Sequence, residues 1–275
     1  MVKYPIGQAD FSEIRNGGYL YVDKTMYIHL LVSLGKYFFL SRPRRFGKSL
    51  LISTMECYFR AERELFSGLA IDRLEPDEWT EHPVLRLDFT QRGYETPEDL
   101  DKVLGQTLDK WEKEYGTPNP DDSPSGRFNS LIGEIYEQTG RQVVILIDEY
   151  DSPIVDAHDN PELEAANRRT LHDFYRVMKA NEKYLKFVFL TGVGKIDRSM
   201  SSAASTILLI YHWIQGMRQS AESLRRNLWI ISMRVSRNWA NGVNGRSRKH
   251  YMSLRCSMTA IISPRTLLTS TIHLV

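Results

Sequence analysis

The chain has 275 residues, 42% hydrophobic and 25% charged, with a formal net charge of +2. That is the balance of a soluble globular protein of roughly two domains, or one large α/β domain. No apolar run is long enough to span a bilayer, the first ten residues lack the apolar core of a signal peptide, and two cysteines exclude a disulfide scaffold. A reducing, cytoplasmic location is expected.

Residues 1–35 read as a lead-in containing a helix over Lys24 to Leu34, with Asp23 as its N-cap and Gly35 as its C-cap. Tyr37 to Leu40 is a short continuous apolar run, the pattern of a buried parallel strand. Helical sequence resumes at Lys48 and runs to about Phe59; Pro83 to Phe89 gives a second strand. Phe66 to Trp79, between them, is expected to be irregular. A helix from Glu98 to Tyr115 ends at Gly116 and Pro118, a loop spans Asn119 to Gly126, and Arg127 to Gln138 is again helical. Gln142 to Ile147 is the most hydrophobic strand candidate, followed by a helix from Pro161 to Met178 and a fourth strand at Phe187 to Leu190. Strands alternating with helices of this length indicate an α/β fold with a mostly parallel sheet.

Two segments carry chemistry. Ser41 to Ser49 reads Ser-Arg-Pro-Arg-Arg-Phe-Gly-Lys-Ser between a strand and a helix. Its end matches the phosphate-loop pattern G-x-x-x-x-G-K-[ST], with Arg42 in the place of the first glycine. Gly47 lets backbone N–H groups turn toward phosphate oxygens at a helix N-terminus. Lys48 would bridge the β- and γ-phosphates, and Ser49 would offer a hydroxyl to Mg²⁺. Arg42 enters a left-handed conformation less readily than glycine, so a modified loop path is expected. Pro43, Arg44, Arg45 and Phe46 complete the loop. Arg44 and Arg45 either hold phosphates, face a neighbouring subunit, or are solvated loop residues.

The second segment is the apolar run Val143 to Ile147 ending in Asp148-Glu149, the form of a Walker B strand. Asp148 would hold the Mg²⁺ hydration shell and Glu149 would polarise the attacking water. Carboxylates at the C-terminal end of a strand lie beside a phosphate loop in an open α/β sheet. Thr191, ending the fourth strand, is a candidate γ-phosphate sensor or a strand-end cap. Asp88, ending the second, either lines the nucleotide pocket or caps the surface. The histidines and cysteines show no zinc-ligand spacing, and no serine-hydrolase or zinc-protease motif occurs.

Taken with Tyr4-Pro5-Ile6-Gly7, Asp10-Phe11 and Tyr21-Val22-Asp23-Lys24-Thr25, these segments resemble the bacterial predicted AAA-ATPase family over about residues 3–196. The Ser-Arg-Pro-Arg-Arg-Phe-Gly-Lys-Ser loop is similar to that family's own variant, which accounts for Arg42. The resemblance implies a three-layer P-loop NTPase of the AAA/RecA-like kind, with the core at 36–196, ATP and Mg²⁺ as ligands, and often a following PD-(D/E)xK nuclease-like domain. It also puts Asp23 and Lys24 on the nucleotide side, although a helix cap and an exposed lysine explain them equally well.

The last quarter departs from this pattern. From Ser201 onward there are ten Lys/Arg, twelve serines and no acidic residue but Glu222, whereas the first 200 residues carry 26 basic and 33 acidic groups. Ser202 to Arg218 can be encoded so that the third-base frame reads S-L-N-N-L-T-D-I-S-L-D-P-R-Y-A, similar to the family's continuation; Met258 to His273 behaves likewise in the same frame. A one-base frameshift near Asp197 is therefore expected, making 197–275 an irregular, non-native tail, removing the native fifth strand and leaving no room for a nuclease-like domain. The leading functional expectation is ATP binding with Mg²⁺-dependent hydrolysis. A non-hydrolysing nucleotide switch or interaction module, or an inactive truncated copy, is the alternative. Self-association, an unidentified protein partner, and nucleic-acid binding through the basic tail are further readings.

Overall fold

The computed structural model describes residues 2–193, apart from 78, 92 and 118–122. The expected frameshifted tail and the first half of the expected 119–126 loop lie outside those residues. Four strands form one sheet: β1 (Tyr37–Ser41), β2 (Val84–Asp88), β3 (Val143–Asp148) and β4 (Leu185–Gly192). Their spatial order is β1-β4-β3-β2, and every neighbouring pair is parallel. All four C-terminal ends, Ser41, Asp88, Asp148 and Gly192, therefore emerge along one edge. The last of the described strands in sequence, β4, is inserted between β1, which feeds the phosphate loop, and β3, which carries the acidic pair.

Parallel strands require crossovers, and helices supply them on both faces. On one face lie α1 (Phe11–Asn16), α2 (Thr25–Leu34), α3 (Lys48–Phe59) and α4 (Ala70–Leu74). Phe11, Ile28, Ile52, Met55 and Ile71 from these helices, with Phe66 between them, join Val84, Val144, Leu146, Phe187 and Phe189 of the sheet in one core. The intervening β3 residues Ile145 and Ile147 point the other way and are equally buried, as the two-residue period of a strand demands. That second face and the β2 side are served by α5 (Pro97–Tyr115), α6 (Pro124–Thr139) and α8 (Pro161–Ala180), which pack on one another, with the short α7 (Ser152–Val155) against α8. Phe128 and Phe174 stack between α6 and α8 with centroids 4.3 Å apart. The layers are helix, sheet, helix. Among the described residues no helix is long and apolar enough to cross a membrane.

Most local expectations hold within a residue or two, and the differences have physical causes. The segment expected to be irregular, Phe66 to Trp79, contains α4 and follows a 3₁₀ turn (Arg63–Phe66). Here tertiary bonds override weak local propensity: Asp23 Oδ2 accepts the Ala70 N–H at 2.7 Å, and Thr25 Oγ1 accepts the Ile71 N–H at 3.1 Å. Asp23 precedes the cap position, which Lys24 occupies, yet its Oδ1 still accepts the Thr25 N–H at 2.9 Å and the Thr25 hydroxyl at 2.7 Å. Gly35 does not take the left-handed cap conformation; its backbone is extended and leads directly into β1. Helix α6 begins at Pro124 because Ser123 accepts the Gly126 N–H, so the end of the expected loop is helical.

Two devices steady the site's foundations. The lead-in docks on the phosphate-loop helix: Phe11 N–H donates to Ser53 Oγ at 2.9 Å, and the Ser53 hydroxyl donates to Asp10 Oδ2 at 3.3 Å. Burial opposes ionisation of Asp10, but hydrogen bonds from Ser12, Glu13 and Ser53 outweigh it and hold its carboxyl below the usual range. At the outer edge of β2, the Tyr115 hydroxyl lies 3.1 Å from Val84 N and 3.4 Å from Val84 O, covering strand-edge groups that would otherwise be open to pairing.

Candidate functional site

The phosphate loop, residues 42–47, links β1 to α3. Its left-handed residues are Arg45 (φ 68°) and Gly47 (φ 76°), not Arg42. The arginine in the first-glycine position is instead buried, and its N–H donates to Gly192 O of β4 at 3.0 Å. Burial lowers the Arg42 pKa from its ordinary value without threatening its charge. Pro43, Arg44, Arg45 and Phe46 are exposed at the loop's crest, Phe46 by 62%.

Lys48, the first residue of α3, is only 3% exposed. Its ammonium lies 2.7 Å from Arg42 O, 3.0 Å from Pro43 O and 2.9 Å from Glu149 Oε1. An ammonium has three N–H donors, so the loop curls around its own lysine and saturates it. Ser49 follows, half-buried, in the first turn of α3, where uncapped N–H groups and the helix dipole favour an anion.

Thr191 is the hub beneath the acidic pair. It is fully buried; its hydroxyl donates to Asp148 Oδ1 and its Oγ1 accepts the Glu149 N–H at 3.1 Å. The Thr191 carbonyl accepts the Tyr150 N–H at 2.8 Å. These bonds hold Glu149 in a left-handed conformation, φ 52°, which costs a non-glycine residue about 1–3 kcal/mol. The turn aims the Glu149 carboxylate at Lys48. Asp148 is wholly buried, and its Oδ2 has no hydrogen-bond partner. An unmatched buried carboxylate oxygen is costly, and it is the acceptor that a hydrated cation beside Ser49 would need.

The residues present therefore fit Mg²⁺ with a nucleoside triphosphate. Among the described residues no group of three or more His, Cys, Asp or Glu is arranged to hold a metal by itself. Mg²⁺ does not need one, since it keeps several waters and takes one or two carboxylates plus substrate phosphates.

Asp23 and Lys24 stand apart from this constellation by their contacts. Both Asp23 oxygens are used within the α2–α4 corner, and the Lys24 carbonyl accepts the Tyr27 N–H at 3.0 Å. Four further residues support the acidic pair. Asp151, 5% exposed, accepts the Val193 N–H at 3.2 Å. Asn167, buried in α8, donates to Pro153 O at 2.8 Å and so anchors the segment after the acidic pair. Tyr150 packs edge-on against Phe39, and burial, reinforced by the Asp151 charge, pushes its phenol pKa up. Asn167 left no signal beyond being an asparagine inside a helix.

Gly192 is the fourth. A Cβ built there would stand 2.6 Å from Asp151 Oδ1 and 2.7 Å from the Tyr150 ring. Gly192→Ala should therefore lower stability by about 1–3 kcal/mol through overpacking, read from a urea denaturation curve of the variant beside the parent. An unchanged midpoint would show that the turn has slack.

A parallel α/β domain with a lysine-bearing phosphate loop facing a strand-end acidic pair is the architecture of a P-loop, AAA-like protein. The chain belongs to the "Predicted AAA-ATPase" family, whose model matches residues 5–202. It is 38% identical over 199 residues to a protein of Azotobacter chroococcum mcd 1 described as "Uncharacterized protein in vnfD 5'region", a match covering 71% of this chain. The chain spans 38% of that relative's length. No solved structure matches.

Proposed function

We propose that this chain binds ATP with Mg²⁺ and hydrolyses it to ADP and phosphate. The observation that carries the reading is the ion pair of Lys48 and Glu149, 2.9 Å apart and almost wholly buried at the ends of different elements. Burying such a pair is expensive for a purely structural purpose, whereas a phosphate site needs both groups within reach of the same atoms.

In this reading the backbone N–H groups after Gly47 receive the phosphates, and Lys48 exchanges its bonds to Arg42 O, Pro43 O and Glu149 for phosphate oxygens. The loop uncurls as it does so. Ser49 and Asp148 Oδ2 would hold Mg²⁺, which supplies charge neutralisation at the β- and γ-oxygens. Released from Lys48, Glu149 accepts a proton from the water that attacks the γ-phosphorus, and the bond to the ADP oxygen breaks. Thr191 keeps both carboxylates oriented and is a positioning residue.

The test is ATP titration calorimetry and phosphate release on the full chain. Glu149→Gln should bind ATP at least as tightly as the parent, because Lys48 loses a competing partner. Its turnover should fall by about 10²–10⁴-fold, the usual contribution of a general base. Parental turnover in this variant would overturn the assignment of Glu149.

A further inference from the structure

The register of the sheet sets Asp88 directly beside Asp148. Strands β2 and β3 pair in parallel with Val84 opposite Val144, Arg86 opposite Leu146 and Asp88 opposite Asp148. Residues opposite one another share a face, and two contacts identify which face it is. Arg86 Nη1 donates to Glu56 Oε2 of α3 at 2.9 Å, and Val84, Val144 and Leu146 belong to the core that α3 covers. Asp88 and Asp148 thus project side by side toward α3, the helix that opens with Lys48 and Ser49.

The Asp148 carboxylate has β4 on one side and β2 on the other. Its Oδ1 takes the Thr191 hydroxyl of β4, which directs Oδ2, the buried oxygen with no partner, away from β4. Asp88 uses Oδ1 to accept the Thr90 N–H and hydroxyl at 2.8 and 2.7 Å, leaving its Oδ2 outside that turn. The nearby arginines pair elsewhere: Arg86 with Glu56, and Arg60 with Glu56 and Glu114. Asp88 also lines a cleft of about 210 Å³ between α3, β2 and α5, together with Glu56, Arg60, Arg86 and Lys110. Asp88 is thus open to water from that cleft.

We propose that Asp88 is the second carboxylate of the cation site, holding a divalent metal through its bound water together with Asp148. This deepens the nucleotide reading and rests on it. Among the described residues neither carboxylate has an ion-pair partner, and Asp148 carries a buried oxygen with no hydrogen bond. A hydrated divalent ion bridging them removes both defects, and Mg²⁺-like ions are commonly held by one or two carboxylates plus phosphates.

The experiment measures ADP affinity of the full chain with Mn²⁺ and with EDTA, by calorimetry, so that no readout depends on turnover. In the parent, Mn²⁺ should strengthen ADP binding. In Asp88→Asn, which keeps the Oδ1 acceptor for Thr90, the Mn²⁺ gain should shrink about tenfold, the scale for loss of an outer metal partner. Affinity in EDTA should stay at the parental value. Thr90→Val, which removes the hydroxyl bond and keeps the carboxylate, should retain the full gain. An undiminished gain in Asp88→Asn overturns the role of Asp88 and leaves the nucleotide reading standing. An equal loss with EDTA overturns it too, since Asp88 would then serve the fold or the nucleotide itself. No ADP binding by the parent under either condition overturns both readings.

Discussion

Lys48→Ala should abolish measurable ATP binding and also unsettle the protein on which it is made. The binding loss follows from removing the buried ammonium at the end of the loop, which all three of its partners, Arg42 O, Pro43 O and Glu149, enclose. At least a hundredfold weakening is expected, since a hydrogen bond to a charged group contributes about 1.5–3 kcal/mol and more than one phosphate oxygen is served. The stability loss has a separate cause. Glu149 would stay almost buried with no counter-charge, and breaking one side of a buried pair costs about 3–5 kcal/mol. The lower end applies here because water can enter the space the lysine vacates. Urea denaturation of Lys48→Ala, Glu149→Gln and the double variant separates the two effects. The double variant should recover much of the lost stability while still failing to bind ATP. If Lys48→Ala binds ATP like the parent, the phosphate-loop assignment is wrong; if the double variant is no more stable than Lys48→Ala, the ion pair is not what destabilises it.

Thr191→Val should be nearly as damaging to the fold, although it keeps the shape of the side chain. The hydroxyl serves two buried groups at once, donating to Asp148 Oδ1 and accepting the Glu149 N–H. With valine both are stranded, and Asp148 would have two unmatched oxygens rather than one. Each unmatched buried group costs about 1–3 kcal/mol, so a loss of about 2–6 kcal/mol is expected. Thr191→Ser retains the hydroxyl and should lose only the contribution of a methyl group, about 1 kcal/mol. Equal losses for valine and serine would mean that packing, not hydrogen bonding, is what Thr191 supplies. The valine variant should also lose turnover, because the left-handed turn at Glu149 depends on that bond.

How much of this could be read without the fold varies by residue. Lys48, Ser49, Asp148 and Glu149 were legible because their identity is fixed by short-range chemistry: a glycine before a lysine at a helix start, and carboxylates after an apolar run. Thr191 was legible as a candidate sensor or strand-end cap; its work as a hub beneath the acidic pair depends on β4 lying next to β3. Arg42 was expected to bend the loop's path, but the left-handed strain sits at Arg45, because the arginine is fastened to Gly192 across the sheet. Helix α4 was missed because its first N–H groups are satisfied by Asp23 and Thr25, some forty-six residues away in sequence, which no local pattern announces.

The sequence by itself determined the alternation of strands and helices, the phosphate loop and the acidic pair, since hydrophobic period, glycine freedom and adjacent carboxylates are local properties. Only the tertiary structure decided the strand order and the register. With them came the meeting of Lys48 and Glu149, the burial of Thr191 between the two acids, and the alignment of Asp88 with Asp148. Those pairings form between segments far apart in the chain, and they are selected by the joint packing of both faces of the sheet rather than by any one segment's preference.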